Sequence, residues 1–157
     1  MNSAITKLLY SNAFNNIESA RNCQIIISKK EMEIQMININ IKYPVYDDLY
    51  INNLKKHTLG MEIKNLVNTR NNYINNAISD ALSLAENEMF ENNEYSVVAI
   101  LIGSIVSFIT SVENTFSASF PNRSNISRLS TRFKLFDFKN VQLKNSINDL
   151  KTVCKVY

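Results

Sequence analysis

Three observations predict a mainly α fold for this chain, a bundle of four to six helices with a small β-hairpin insert near residues 24–43. First, Met61–Phe90 keeps apolar residues at helical spacing over about eight turns of 3.6 residues. Second, Tyr95–Phe116 is apolar almost all round, so other elements must surround it. Third, the helical period breaks once, between Gln24 and Tyr43, where apolar and polar residues alternate. With 157 residues and 45% hydrophobic content, one domain spanning 1–157 has enough chain to bury a core.

In chain order, Ile5, Leu9, Ala13, Ile17 and Ala20 share one face of a first helix over Ala4–Ala20. Gln24–Ser28 then contains three successive isoleucines. Along Glu31–Tyr43, Met32, Ile34 and Met36 share one strand face and Ile37, Ile39, Ile41 and Tyr43 the other, with Ser28-Lys29-Lys30 as the turn. The phase change at Met36-Ile37 reads as a bulge, and Pro44 ends the strand. Tyr43, Tyr46 and Tyr50, interleaved with Asp47 and Asp48, read either as an exposed recognition loop or as a turn whose tyrosines lid the core.

Thr58-Leu59-Gly60 reads as the break before the long helix, which keeps Ile63, Leu66, Val67, Tyr73, Ile74, Ala77, Ile78, Ala81, Leu82, Leu84, Ala85 and Met89 at helical spacing. The apolar helix follows, with Tyr95, Val98, Leu101, Ile102, Ile105, Phe108, Ile109, Val112 and Phe116 inward, and Gly103 and its serines open to close approach by a neighbour. Pro121-Asn122 breaks the chain. Ser124 is a candidate cap for a short helix holding Ile126, Leu129 and Phe133. Leu143, Ile147, Leu150, Cys154 and Tyr157 step by 4, 3, 4 and 3, an a/d-type stripe with no capping signal at its end, as if the last turn frays or the helix continues. Such a stripe predicts either completion of its own bundle or burial in a homodimer.

Composition narrows the chemistry. Two glycines leave no phosphate-cradling loop to be written, and the single histidine, His57, leaves no histidine metal cluster and no nucleophilic triad. Cys23 and Cys154 lie too far apart for a CxxC motif and suit a reduced, cytoplasmic protein. The four glutamates between Glu86 and Glu94 have no histidine beside them and read as a solvated helix end. Catalytic residues, cofactor-binding residues, metal ligands and cofactors are therefore all expected to be none. Tyr95–Val112 is uncharged over 18 residues, but it contains four serines and a threonine and lacks flanking Lys or Arg, which argues core helix over membrane span. Asparagine is abundant, with runs such as Asn71-Asn72 and Asn75-Asn76 that fit drift in an AT-rich genome.

Charge is segregated. Asn71–Asn122 holds six carboxylates and no Lys or Arg, whereas Arg123–Tyr157 holds eight basic residues against two acidic ones. One reading is internal attraction between the two segments. The other is a basic face for nucleic acid, in which Arg128 and Arg132 would form a stripe one turn apart. The modest overall charge of +3 favours the first.

Ala81-x-x-Leu84-Ala85-Glu86, then Phe90, Asn93, Tyr95 and an apolar helix ending in Glu113, resembles the central helical hairpin of the HEPN superfamily. The tail Ile147-Asn148-Asp149-Leu150-Lys151-x-Val153 is similar to the stretch that precedes that family's RNase motif. The likeness covers residues 61–157 at the level of pattern and implies a small all-α bundle from bacterial toxin–antitoxin, phage-defence or RNA-processing systems. Its nuclease motif is an Arg followed four to six residues later by a His, and no arginine stands so before His57. The resemblance therefore implies a noncatalytic, protein-binding module, often homodimeric. The tyrosine cluster, the basic stripe and the a/d-type stripe supply its candidate contact residues: Tyr43, Tyr46, Tyr50, Arg128, Arg132, Leu143, Ile147, Leu150 and Tyr157. Alternatives are a viral or bacterial effector whose helical groove takes a partner helix, and an RNase module whose catalytic motif is missing from this chain.

Overall fold

The computed structural model describes residues 3–40, 46–90, 95–112, 122–135 and 141–156. Five α-helices account for them: α1 (Ser3–Asn40), α2 (Tyr46–Phe90), α3 (Tyr95–Ser111), α4 (Arg123–Leu135) and α5 (Val141–Val153). Contacts divide the chain into two compact units, a bundle unit of Met1–Glu18 with Tyr73–Tyr157 and a hairpin unit of Ser19–Asn72.

The mainly α expectation is met, but the β-hairpin insert is not. Gln24 to Asn40 continues α1 as helix, and the described residues contain no strand. The physical reason lies in how the apolar residues are spaced around the helix. Cys23 and Ile27 are buried, and Lys30, Ile34 and Ile37 are half-buried. Ile25, Met32, Met36 and Ile39 are all exposed. At about 100° per residue, each group fits within roughly 80° of arc, and the two arcs lie on opposite sides of the helix. Two opposed stripes on one helix put apolar residues at every second position, which is also the signature of a strand. Ile41 and Tyr43 lie outside the described residues.

The seam of the hairpin unit is closed from α2 by Asn52, Lys56, Leu59, Ile63, Leu66 and Arg70, at steps of 4, 3, 4, 3 and 4. Its register is antiparallel. Arg70 Nη1 donates to Gln24 Oε1 at 2.6 Å, Lys30 Nζ to Glu62 Oε2 at 2.6 Å, and Lys56 Nζ to Asn38 Oδ1 at 3.0 Å, so one strand of partners rises as the other falls. The expected break at Thr58-Leu59-Gly60 is absent. α2 runs through it, because a helix already docked along its seam absorbs the cost of one interior glycine, roughly 0.5–1 kcal/mol relative to alanine.

The bundle unit gathers the start of α1, the second half of α2, and α3, α4 and α5, with α5 packed on both α3 and α4. Its core contains Ala13, Ile17, Ile74, Ile78, Leu84, Leu101, Ile102, Ile105, Ile126 and Leu129, each at most 2% exposed. Phe108 is buried with them, Val112 is half-buried, and Met89, Tyr95, Phe116 and Phe133 lie outside the described side chains. α3 is buried on a wide face, yet Val97 and Ile100 face solvent. The close approach expected at Gly103 is not there either: a Cβ built on it meets nothing within 4 Å.

Two helix ends differ from expectation. α4 starts at Arg123, with Asn122 rather than Ser124 before it. The Asn122 carbonyl accepts from the Ile126 amide, and its buried side chain donates to the Asn75 carbonyl at 2.9 Å while accepting from Ser79 Oγ at 3.0 Å. This ties the start of α4 to α2. α5 has a cap that the sequence does not advertise. Lys155 takes the left-handed conformation at φ 53°, the Val156 amide reaches the Lys151 carbonyl and the Lys155 amide reaches Thr152, the bonding pattern of a Schellman motif.

Candidate interaction surface

The hairpin unit concentrates exposed apolar side chains. On α1 they are Ile25, Met32, Met36 and Ile39, between 54% and 67% exposed, with Ile26 exposed nearer the seam. On α2 they are Tyr50, Ile51, Leu54 and Met61, between 47% and 67% exposed. Each set lies on the side of its own helix away from the seam, with Ile51 at the flank and Leu54 also bordering the groove along the seam's edge, so the hairpin presents two outward apolar faces while its inner faces hold it together. Scattered single apolar residues on a surface need no explanation, but continuous stripes mark binding surfaces. Methionine suits that role, since its unbranched, polarizable side chain adapts to differently shaped partners.

A groove of about 350 Å³ follows the edge of the seam, lined by Glu33, Ile37, Leu54, Lys55, Thr58 and Leu59. Its floor is apolar and Glu33 and Lys55 place both charge signs in its lining. Deeper in the seam, Arg70 is only 5% exposed, and its Nε and Nη2 both donate to Asn71 Oδ1. Burial lowers its pKa, and the neighbouring Cys23 and Glu31 oppose that shift.

The predicted contact residues divide among three environments. Tyr50 is exposed on α2 and belongs to the outward face. Tyr46 opens α2 with its side chain outside the described residues, and Tyr43 and Tyr157 also lie outside them. Arg128 and Arg132 both bind Glu86. Arg128 makes a two-pronged contact through Nη1 at 3.0 Å and Nη2 at 3.4 Å, and Arg132 Nη1 shares the same Oε1. Hydrogen bonding from Arg128 is the largest influence on Glu86, holding its pKa below the usual carboxylate value; burial opposes this and the charges of both arginines reinforce it. The two arginines thus meet the acidic segment of their own chain. Leu143, Ile147 and Leu150 are fully buried, as is Cys154, in a helix packed on α3 and α4. This stripe completes its own bundle, and a homodimer that buried it would have to open that bundle first.

The outward stripe of α1 is hidden in the sequence, because its alternation with the buried stripe fits strands as well as a two-faced helix. A test of helical periodicity that allows two faces on one helix finds it. Among the described residues no helix is long and apolar enough to cross a membrane, and none of them form a cluster of three or more metal-ligating side chains. Comparison with known proteins returns no matching family, no matching characterised protein and no matching solved structure.

Proposed function

We propose that this chain is a noncatalytic helical interaction module, cytoplasmic and working through protein–protein contacts. The observation that carries the reading is the pair of outward apolar faces on the hairpin unit, centred on Met32 and Met36 of α1 and Leu54 of α2. A helix pair needs only its seam to hold together, and every further apolar stripe costs solubility unless a partner covers it. A HEPN-like role in a bacterial or phage conflict system is the setting suggested by the sequence resemblance alone.

Replacing Met32 and Met36 together by Glu tests the reading. Both residues are exposed, so the thermal midpoint should move by no more than about 0.5 kcal/mol equivalent, while hydrophobic-dye binding and site-specific photocrosslinking from position 39 should fall away. Unchanged dye binding and crosslinking in the double variant would remove these faces as the contact surface.

A second reading rests on the groove between Glu33, Ile37, Leu54 and Leu59, which has the apolar floor that an amphipathic partner helix requires. Thr58→Arg separates it from the first: this exposed residue lines the groove, and the larger side chain fills it while the seam and the outward stripe of α1 stay untouched.

A further inference from the structure

The bundle unit contains a second, chemically different recess. It is open to solvent, measures about 400 Å³, and is lined by Asn12, Asn15, Asn16, Asn76, Ser79 and Asp80. The volume falls in the range of about 300–1,000 Å³ common to ligand sites. Asn12, Asn15 and Asn16 come from α1, and Asn76, Ser79 and Asp80 from α2. Both triplets have the spacing i, i+3, i+4, which places three side chains on one helix face. The triplets flank the buried apolar contacts that α1 makes at Ala13 and Ile17 and α2 at Ala77 and Ala81, and together they line one open cleft in which Asn16 and Asp80 are half-buried and the other four exposed.

The lining sets the chemistry of the occupant. Four primary amides carry both donors and acceptors, with Asn16 already giving one N–H to the Asn12 carbonyl, and the Ser79 hydroxyl, whose proton goes to Asn122 Oδ1, adds an acceptor, so the lining suits a ligand that alternates the two. A lipid chain or an apolar helix face would strip these groups of water and return nothing. The backbone of an extended peptide alternates N–H and C=O groups in this way. Residues one turn apart on a helix, such as Asn12 and Asn16 or Asn76 and Asp80, are separated by about 6 Å along the axis. Alternate residues of an extended strand repeat every roughly 6.6 Å. The near match lets successive rungs address successive outward peptide groups. Asp80 gives the cleft its sign. It is half-buried, and burial alone raises its pKa, the behaviour of a carboxylate that a cation would relieve.

We propose that this cleft binds an extended peptide segment bearing lysine or arginine, with the asparagine side chains pairing its backbone and the Asp80 carboxylate holding its cation. The proposal is independent of the outward faces of the hairpin, which recognise apolar surface.

The test is titration of isotope-labelled full-length protein, followed through asparagine side-chain amide signals. The probe is a short end-blocked peptide of alternating Lys and Thr, with a Glu-for-Lys peptide and spermidine as comparisons. The Lys peptide should shift the side-chain amides of Asn12, Asn16 and Asn76 saturably, and the Glu peptide should not. Asp80→Asn should weaken binding about tenfold or more, as expected for loss of a charge-assisted contact. Asn12→Ala combined with Asn76→Ala should weaken it while leaving the charge in place; both sites are exposed and alanine favours helix, so the fold is retained. Absence of shifts at millimolar peptide, indifference to Asp80→Asn, or equal shifts with spermidine would each overturn the proposal. The Met32 and Met36 double variant should bind the Lys peptide as the wild type does, which keeps this outcome separate from the fate of the hairpin reading.

Discussion

Arg70 places a guanidinium in the seam of a two-helix hairpin, at a position where heptad spacing would admit Leu or Ile. A charge held there costs desolvation, and its return is orientation: the 2.6 Å bond to Gln24 fixes which turn of α1 meets which turn of α2. Gln24→Leu removes this acceptor and is expected to lower stability by about 1–3 kcal/mol in denaturant unfolding. Arg70→Met, which replaces the charge with flexible apolar volume, should hold the midpoint or raise it. Glu86 works differently, since it is about one-third accessible and its arginines are also partly solvated. Its pKa is lower in the folded chain than the ordinary value of 4.5, so its stabilising effect is complete above that value and disappears as pH falls through the lower folded one. A melting series between pH 6 and pH 2 should show the wild type losing more stability than Glu86→Gln over the acid end. Parallel curves for the two proteins would show that the pair of arginines contributes nothing there.

At the scale of elements, what sequence could show depended on whether one physical cause dominated a segment. α5 was legible because Leu143, Ile147 and Leu150 form a single stripe, and α3 because its inner residues from Val98 to Ile109 outnumber its outward ones. α1 beyond Ala20 was not, because a buried and an exposed stripe on opposite sides give the alternation of a strand. Gly60 misled by local propensity, which tertiary packing along Leu59 and Ile63 overrides. Since a Cβ at Gly60 meets nothing within 4 Å and its φ is ordinary for a helix, Gly60→Ala is expected to stabilise the protein by about 0.5–1 kcal/mol in thermal or urea unfolding. A loss of stability would mean that the helix bends at this point. The cap of α5 was hidden for a related reason: Lys155, not Gly or Asn, occupies the left-handed position, and Arg123 Nη1 donating to its carbonyl at 3.1 Å helps to hold it there. The candidate sites were legible only in outline. Charge segregation pointed to contact between the acidic and basic segments but could not name Glu86, and a polar cleft of asparagines cannot be told from a composition rich in asparagine.

For the whole molecule, the division into two units coincides with the distribution of its two cysteines. Cys23 lies buried in the hairpin unit and Cys154 buried in the bundle unit, both as free thiols. Burial pushes the Cys154 thiol up to about 12, so as long as the bundle stays closed it is both shielded and almost entirely protonated at neutral pH. Modification by a thiol reagent at either position therefore waits for the surrounding helices to part. Because each sulfur marks a different unit, the chain carries two internal clocks. Mass spectrometry of the Cys23 and Cys154 peptides after timed exposure to a maleimide gives an opening rate for each, and the denaturant dependence of those rates gives the surface each opening exposes. Two rates with one common denaturant slope mean that the units open together. A faster Cys23 with a shallower slope means that the hairpin separates along its seam while the bundle stays shut, a transient in which the inner as well as the outer faces of α1 become available to whatever is near.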